Sequence, residues 1–198
     1  MNYLAHIFLS GNDEELLIGN FIADSVRGSQ LQQFPEKIAQ GIILHRQIDT
    51  YTDNHPVVKR TKERLRPKYR KYAGVVADIF YDHFLAANFE AYATTTLKEY
   101  TQNFYTLVQK YRLLLPERVL YFLPYMVEQD WLLNYGNFNG IRRSLTGLSR
   151  RTSFISNMET AAEELEINYL LYQSDFYKFF PELITFVDEK LKNNMPPF

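Results

Sequence analysis

Nowhere in these 198 residues do apolar and polar side chains alternate long enough to furnish one face of a sheet. Apolar residues recur instead at helical spacing, and caps, glycines and prolines punctuate them. The first helix is expected over about residues 13–27, with Asn12 or Asp13 as N-cap and Glu14 and Glu15 in the first turn, where the helix dipole favours acids. Gly28 is its expected stop. The next spans about 35–51, with Pro35 at its start. Asp53, Asn54 and Pro56 then break the chain, and a helix over 56–66 ends at Pro67. Segments 73–90, 91–112, 117–133, 137–146, 151–173 and 175–192 complete an all-α, single-domain bundle over residues 1–198. Such a chain is long enough to bury a sizeable core. Fifteen Tyr and fifteen Phe imply that large rings fill it.

Several classes of chemistry are excluded. With no cysteine there are no disulfides, no thiolate zinc site and no cysteine nucleophile. The start, MNYLAHIFLS, lacks the basic region of a secretory signal, and the most apolar run, Val119–Val127, is short and interrupted by Pro124. A cytoplasmic location is expected. There is no P-loop, no G-x-G-x-x-G and no G-x-S-x-G elbow.

The four histidines, His6, His45, His55 and His83, all precede residue 84, in the company of Asp24, Asp49, Asp53, Asp78 and Asp82. In GIILHRQID, His45 and Asp49 stand four apart and share one helix face. In AGVVADIFYDHFLAA, Asp78 and Asp82 do the same among Val75, Val76, Ile79, Phe80, Phe84 and Leu85. Two carboxylates on such a face repel each other and lose hydration, so a cation or a basic partner is required. Asp24, after Phe21, Ile22 and Ala23, repeats the theme. Imidazole and carboxylate ligands without sulfur suit Mn²⁺, Fe²⁺, Zn²⁺ or Mg²⁺, and a metal-activated water is then the best nucleophile on offer. The plainer readings are a hydrogen-bonded His6 at the end of an apolar segment, and salt bridges to Arg46 or Arg70. His55 reads as a loop or capping residue and Asp53 as a helix cap.

Net charge is only −1, yet KRTKERLRPKYRK, residues 59–71, carries eight basic residues against Glu63, a local +7 that leaves −8 elsewhere. Lys59, Arg60, Lys62, Arg64, Arg66, Lys68 and Arg70 form either a solvated face or a surface for an acidic protein partner. Nucleic acid is the weaker candidate for a protein of pI ≈ 6.4. Arg142, Arg143, Arg150 and Arg151 form a second, smaller basic group.

MNYLAHIFLS, GNFIADSVRG, GIILHRQIDTYTDNHPVVKR and YAGVVADIFYDHFLA resemble the successive motifs of the acyl carrier protein phosphodiesterase family, and GIRRSLTGLSRR and FYKFFPELITFV fit as well. The resemblance covers essentially the whole chain. It implies a divergent, all-helical relative of the HD-domain phosphohydrolases. The implied activity is Mn²⁺-dependent hydrolysis of the phosphodiester joining 4′-phosphopantetheine to a serine of holo acyl carrier protein, an acidic partner for residues 59–70. The implied metal-site candidates are His6, Asp24, His45, Asp49, Asp78, Asp82 and His83. Asp24 and His45 would also act in catalysis, and Arg46 would neutralise the scissile phosphate. Two departures stand out: the adjacent pair is Asp82-His83, reversed from the usual His-Asp order, and residues 88–130 match the family only loosely. The rival expectations are a phosphohydrolase of nucleotides or other small phosphodiesters, and a non-catalytic helical module that binds an acidic partner.

Overall fold

The computed structural model describes residues 1–193, and among these there is no strand. Eleven α-helices follow one another: α1 (Tyr3–Phe8), α2 (Glu14–Ile22), α3 (Glu36–Asn54), α4 (Pro56–Tyr69), α5 (Ala73–Ala87), α6 (Leu97–Lys110), α7 (Glu117–Glu128), α8 (Trp131–Asn134), α9 (Phe138–Ser149), α10 (Ala161–Ile167) and α11 (Tyr169–Lys192). The all-helical expectation holds. Asp13 is the N-cap of α2, its carboxylate accepting from the Leu16 N–H at 3.1 Å. His55 caps α4, with Pro56 in its first turn.

Helix α5 lies at the centre, packed against α1, α4, α9 and α11. Val76, Ile79, Phe80, Phe84 and Leu85 are buried on it, and Phe176, Phe179 and Phe180 of α11 close over them. Each such side chain contributes about 1.5–3 kcal/mol when removed from water. Helices α2 and α3 pack backbone to backbone. A Cβ on Gly19 would lie 2.0 Å from the Ile38 carbonyl oxygen, and one on Gly41 would lie 2.1 Å from that of Leu16. Only hydrogen fits at either place.

Several boundaries differ from the sequence expectation. Helix α4 runs through Pro67 to Tyr69: near a C-terminus the missing N–H costs one hydrogen bond, and the buried Leu65 and Tyr69 hold the turn in place. The expected 91–112 helix starts only at Leu97, behind a Thr96/Glu99 capping box. The expected 117–133 helix breaks at Asp130, which adopts φ 45°, and α8 follows. The last two helices divide at Asn168 rather than near residue 174, and residues 151–157 are not helical. Asp53 is no cap: it lies in the last turn of α3 and pairs with Lys62. Gly28 opens a 3₁₀ turn instead of ending α2, which stops at Ile22.

Candidate metal centre and its cavity

The tight α2–α3 contact brings Asn20, near the end of α2, against the imidazole of His45 on α3. Asn20 is fully buried and governs two rings at once. Its side-chain oxygen accepts from His6 Nδ1 at 2.9 Å and from His45 Nδ1 at 3.1 Å, and its backbone carbonyl accepts from His45 Nδ1 at 2.9 Å. Its amide nitrogen donates to the His6 carbonyl and to Ser10 Oγ, both at 2.9 Å. The two imidazoles stack, with centroids 3.8 Å apart and planes 16° from parallel.

Because oxygen acceptors hold both Nδ1–H groups, both Nε2 atoms turn the other way, toward carboxylates. His6 Nε2 is 3.2 Å from Asp49 Oδ1. His45 Nε2 is 3.2 Å from Asp49 Oδ2 and 3.3 Å from Asp24 Oδ1. His6 Nε2 is buried and nevertheless has no hydrogen-bond partner. A bare nitrogen lone pair facing a carboxylate is repulsive unless a cation lies between them. Ligand atoms of His6, His45 and Asp49 all lie within 4.8 Å of one another, and two nitrogens with carboxylate oxygen make a donor set that suits a divalent cation.

Protonation follows the same geometry. Burial pushes His6 down to about 4, and the neighbouring His45 adds to the effect, so His6 is neutral. Burial also disfavours the His45 cation, but Asp24 and Asp49 outweigh it and raise His45 to about 9. Asp49 stays ionised against its own burial chiefly because the His45 cation hydrogen-bonds to it. The His45 hydrogen bond likewise holds Asp24 below the ordinary carboxylate range.

Asp24 is the outward member of the cluster. Its side chain is 66% exposed and borders a cavity of about 640 Å³. That cavity runs from the start of α1 and α5 to α7, α8 and α9, and Arg118, Arg143 and Arg151 line it. Tyr3, also in its wall, is raised by burial and by Asp24, with Arg118 and Arg151 opposing, so these charges surround one space.

The family described as acyl carrier protein phosphodiesterase matches residues 1–183. This chain belongs to the acyl carrier protein phosphodiesterase family. It is 32% identical to the acyl carrier protein phosphodiesterase of Enterobacter sp. (strain 638), over 93% of this chain and 96% of that protein. Identity to the protein of the same name from Photorhabdus laumondii is 29%, over 96% of each chain. Identity to that of Escherichia coli O6:H1 is 31%, over 93% and 96%. No solved structure matches.

Of the candidates drawn from the family motifs, His6, Asp24, His45 and Asp49 meet, while the others have different partners. The Asp82 carboxylate accepts the backbone N–H groups of Asn2 (3.1 Å), Leu4 (2.8 Å) and Ala5 (3.4 Å) and so holds the start of α1. Burial raises Asp82 to about 7, against these donors and the terminal ammonium. Asp78 pairs with that ammonium at 3.0 Å. His83 donates from Nδ1 to the Tyr135 carbonyl at 2.7 Å and packs among Phe84, Phe138 and Tyr169. Arg46 donates to the Val26 carbonyl at 3.3 Å. One position beyond His45, it is turned about 100° from the ligand stripe.

Sequence reasoning missed Asn20, although an amide within LLIGNFI is as anomalous as the acids it noticed. Of the seven basic candidates, Lys62 is tied to Asp53 and Arg64 to the buried Asp175. Lys59, Arg60, Arg66, Lys68 and Arg70 are exposed, and Arg66 and Arg70 line a shallow basic recess with Lys71, Ala73 and Gly74.

Proposed function

We propose that this protein hydrolyses the phosphodiester between 4′-phosphopantetheine and the serine of holo acyl carrier protein, releasing the apo carrier. A divalent cation, with Mn²⁺ the first choice ahead of Mg²⁺, Fe²⁺ and Zn²⁺, is held by His6, His45 and Asp49, with Asp24 beside them. The observation that carries this reading is the buried, partnerless His6 Nε2 facing the Asp49 carboxylate. When bound, the cation supplies positive charge to a phosphoryl oxygen and acidity to a water at the site. Asn20 presents both imidazoles in the tautomer that ligation needs. Asp24, ionised and open to the cavity, is placed to take the proton from the attacking water.

The exposed cations of α4 bind the acidic carrier. The basic recess reaches Gly74 and the catalytic cavity begins at Val75, so a carrier docked on α4 brings its modified serine to the cavity mouth. The chain acts as one catalytic unit, since residues from α1 to α11 share one apolar core. The reading places it in the cytoplasm, with no role for nucleic acid. No helix among the described residues is long and apolar enough to cross a membrane.

The test is a mass-shift assay on purified holo carrier protein. Apo carrier is expected only with added metal, and not with Asp24→Ala or Asp49→Ala. If pure, metal-loaded protein forms no apo carrier, this substrate is wrong. Turnover of nucleotides or small phosphodiesters in preference to the carrier favours the small-molecule alternative.

A further inference from the structure

We propose that the 640 Å³ cavity beside Asp24 holds the phosphopantetheine arm itself, with its phosphate against Arg118, Arg143 and Arg151 and the rest of the arm along Tyr121, Phe122 and Trp131. This rests on the reaction proposed above and adds where the leaving arm lies and which residues select it.

Charge fixes one end. Arg143 donates to Asn134 Oδ1 at 3.0 Å and Arg151 to the Gly147 carbonyl at 3.1 Å, both neutral acceptors. Among the described residues none of the three arginines has a carboxylate partner, whereas Arg142, outside the cavity, holds Glu166 at 3.2 Å. Three guanidinium groups without an ion-pair partner line one recess with only Asp24 and the ammonium-paired Asp78 as carboxylates, so an anion is favoured there, and planar forks suit phosphate. Asp24 links that end to the reacting bond, because it borders the cavity and also stands 3.3 Å from His45 Nε2.

The rest of the lining suits an extended chain more than a second anion. Gln129, Asn134 and Ser144 offer amide and hydroxyl groups to a ligand that carries amides. In the same lining Phe122 and Trp131 stack at 6.1 Å and 12°, on the helices that also carry Asn134 and the 77% exposed Tyr121. Such a wall suits a thiol or a short acyl group. The volume lies within the roughly 300–1,000 Å³ of sites that enclose small ligands.

Gly147 makes the idea testable without damaging the fold. It lines the cavity from α9, and a Cβ added there meets nothing within 4 Å. Gly147→Leu therefore fills the cavity and spares the core. Trp131, the sole tryptophan, also lines the cavity and reports on its occupancy. Metal-free protein titrated with 4′-phosphopantetheine is expected to show a saturable change in Trp131 emission. Pantetheine without phosphate should bind at least about tenfold more weakly, and inorganic phosphate should leave the emission unchanged. Gly147→Leu and Arg143→Gln should each weaken binding at least about tenfold by calorimetry, with Tm unchanged. Arg142→Gln, outside the cavity, should bind as the parent does. No saturable change, or parental affinity in both cavity variants, overturns the assignment. Binding without cleavage of the carrier would sink the reaction and leave the cavity assignment intact. Cleavage by Gly147→Leu with parental KM would do the reverse.

Discussion

Asn20 spans His6 and His45, and its side-chain oxygen and backbone carbonyl together set the direction of the two imidazoles. Replacing it with Leu keeps the branched shape but leaves the His6 Nδ1–H without its acceptor, so that ring can turn its Nε2 away from Asp49, while His45 keeps the backbone carbonyl of residue 20. Protons compete with the cation at the same atoms. His45, raised to about 9, carries a proton on Nε2 at neutral pH, whereas His6, at about 4, carries none. In the metal-free protein the His45 cation adds stability that is complete below its ordinary pKa of 6.5 and disappears as pH rises through about 9. Metal must displace that one proton. We therefore expect Mn²⁺ affinity to rise about tenfold per pH unit from about 6.5 to 9, with one proton released per ion. Calorimetry in buffers of different ionisation enthalpy measures the proton directly. His45→Gln should abolish the slope, and an affinity flat across that range would show that His45 is not a ligand.

Helix α3 carries His45 and Asp49 on one stripe, but α2 decides where the stripe points, through the approach at Gly19 and Gly41. Gly41→Ala drives a methyl group into the Leu16 carbonyl and must force the helices apart. A loss of about 1–3 kcal/mol is expected, read as a lower Tm, with weaker Mn²⁺ binding because Asn20 withdraws from His45. Gly147→Ala, in open space on α9, should be neutral or stabilise by about 0.5–1 kcal/mol. Equal losses at the two glycines would refute the close-packing account. This dependence also explains what the sequence revealed. Helices α3 and α5 were readable because their punctuation and apolar periodicity agree, and His45 with Asp49 followed from spacing on one element. Asp82 has the same signature, a buried acid among apolar neighbours, yet backbone N–H groups some eighty residues away satisfy it. Local pattern reports that a buried charge needs a partner, but only tertiary structure says whether that partner is a cation or a helix terminus. The same limit hid α1, six residues long and anchored by Asp82, and the break at Asp130, where no glycine or proline announces a positive φ.

Across the whole molecule the charge is divided rather than balanced. Residues 59–71 hold +7 and the remainder −8, and the first turn of α5 contributes Gly74 to the basic recess and Val75 to the cavity beside Asp24. On the proposed reading an acidic protein substrate would be drawn to that face before any contact with the centre, so the face should govern encounter and leave the chemical step alone. Reversing Arg60, Arg66 and Lys68 to Glu changes the patch by six charges and touches neither Lys62 nor Arg64, whose carboxylate partners lie within the fold. For hydrolysis of holo carrier protein, kcat/KM is expected to fall about 10–10³-fold at low ionic strength, with kcat nearly unchanged. Added salt should erase most of the difference by slowing the parent, since exposed charges are screened over about 8 Å at physiological ionic strength. A small phosphodiester that never meets α4 should be cleaved equally by parent and variant. Should the triple variant process the carrier at the parental rate in low salt, α4 is only a solvated face, and orientation of the substrate must come from the cavity alone.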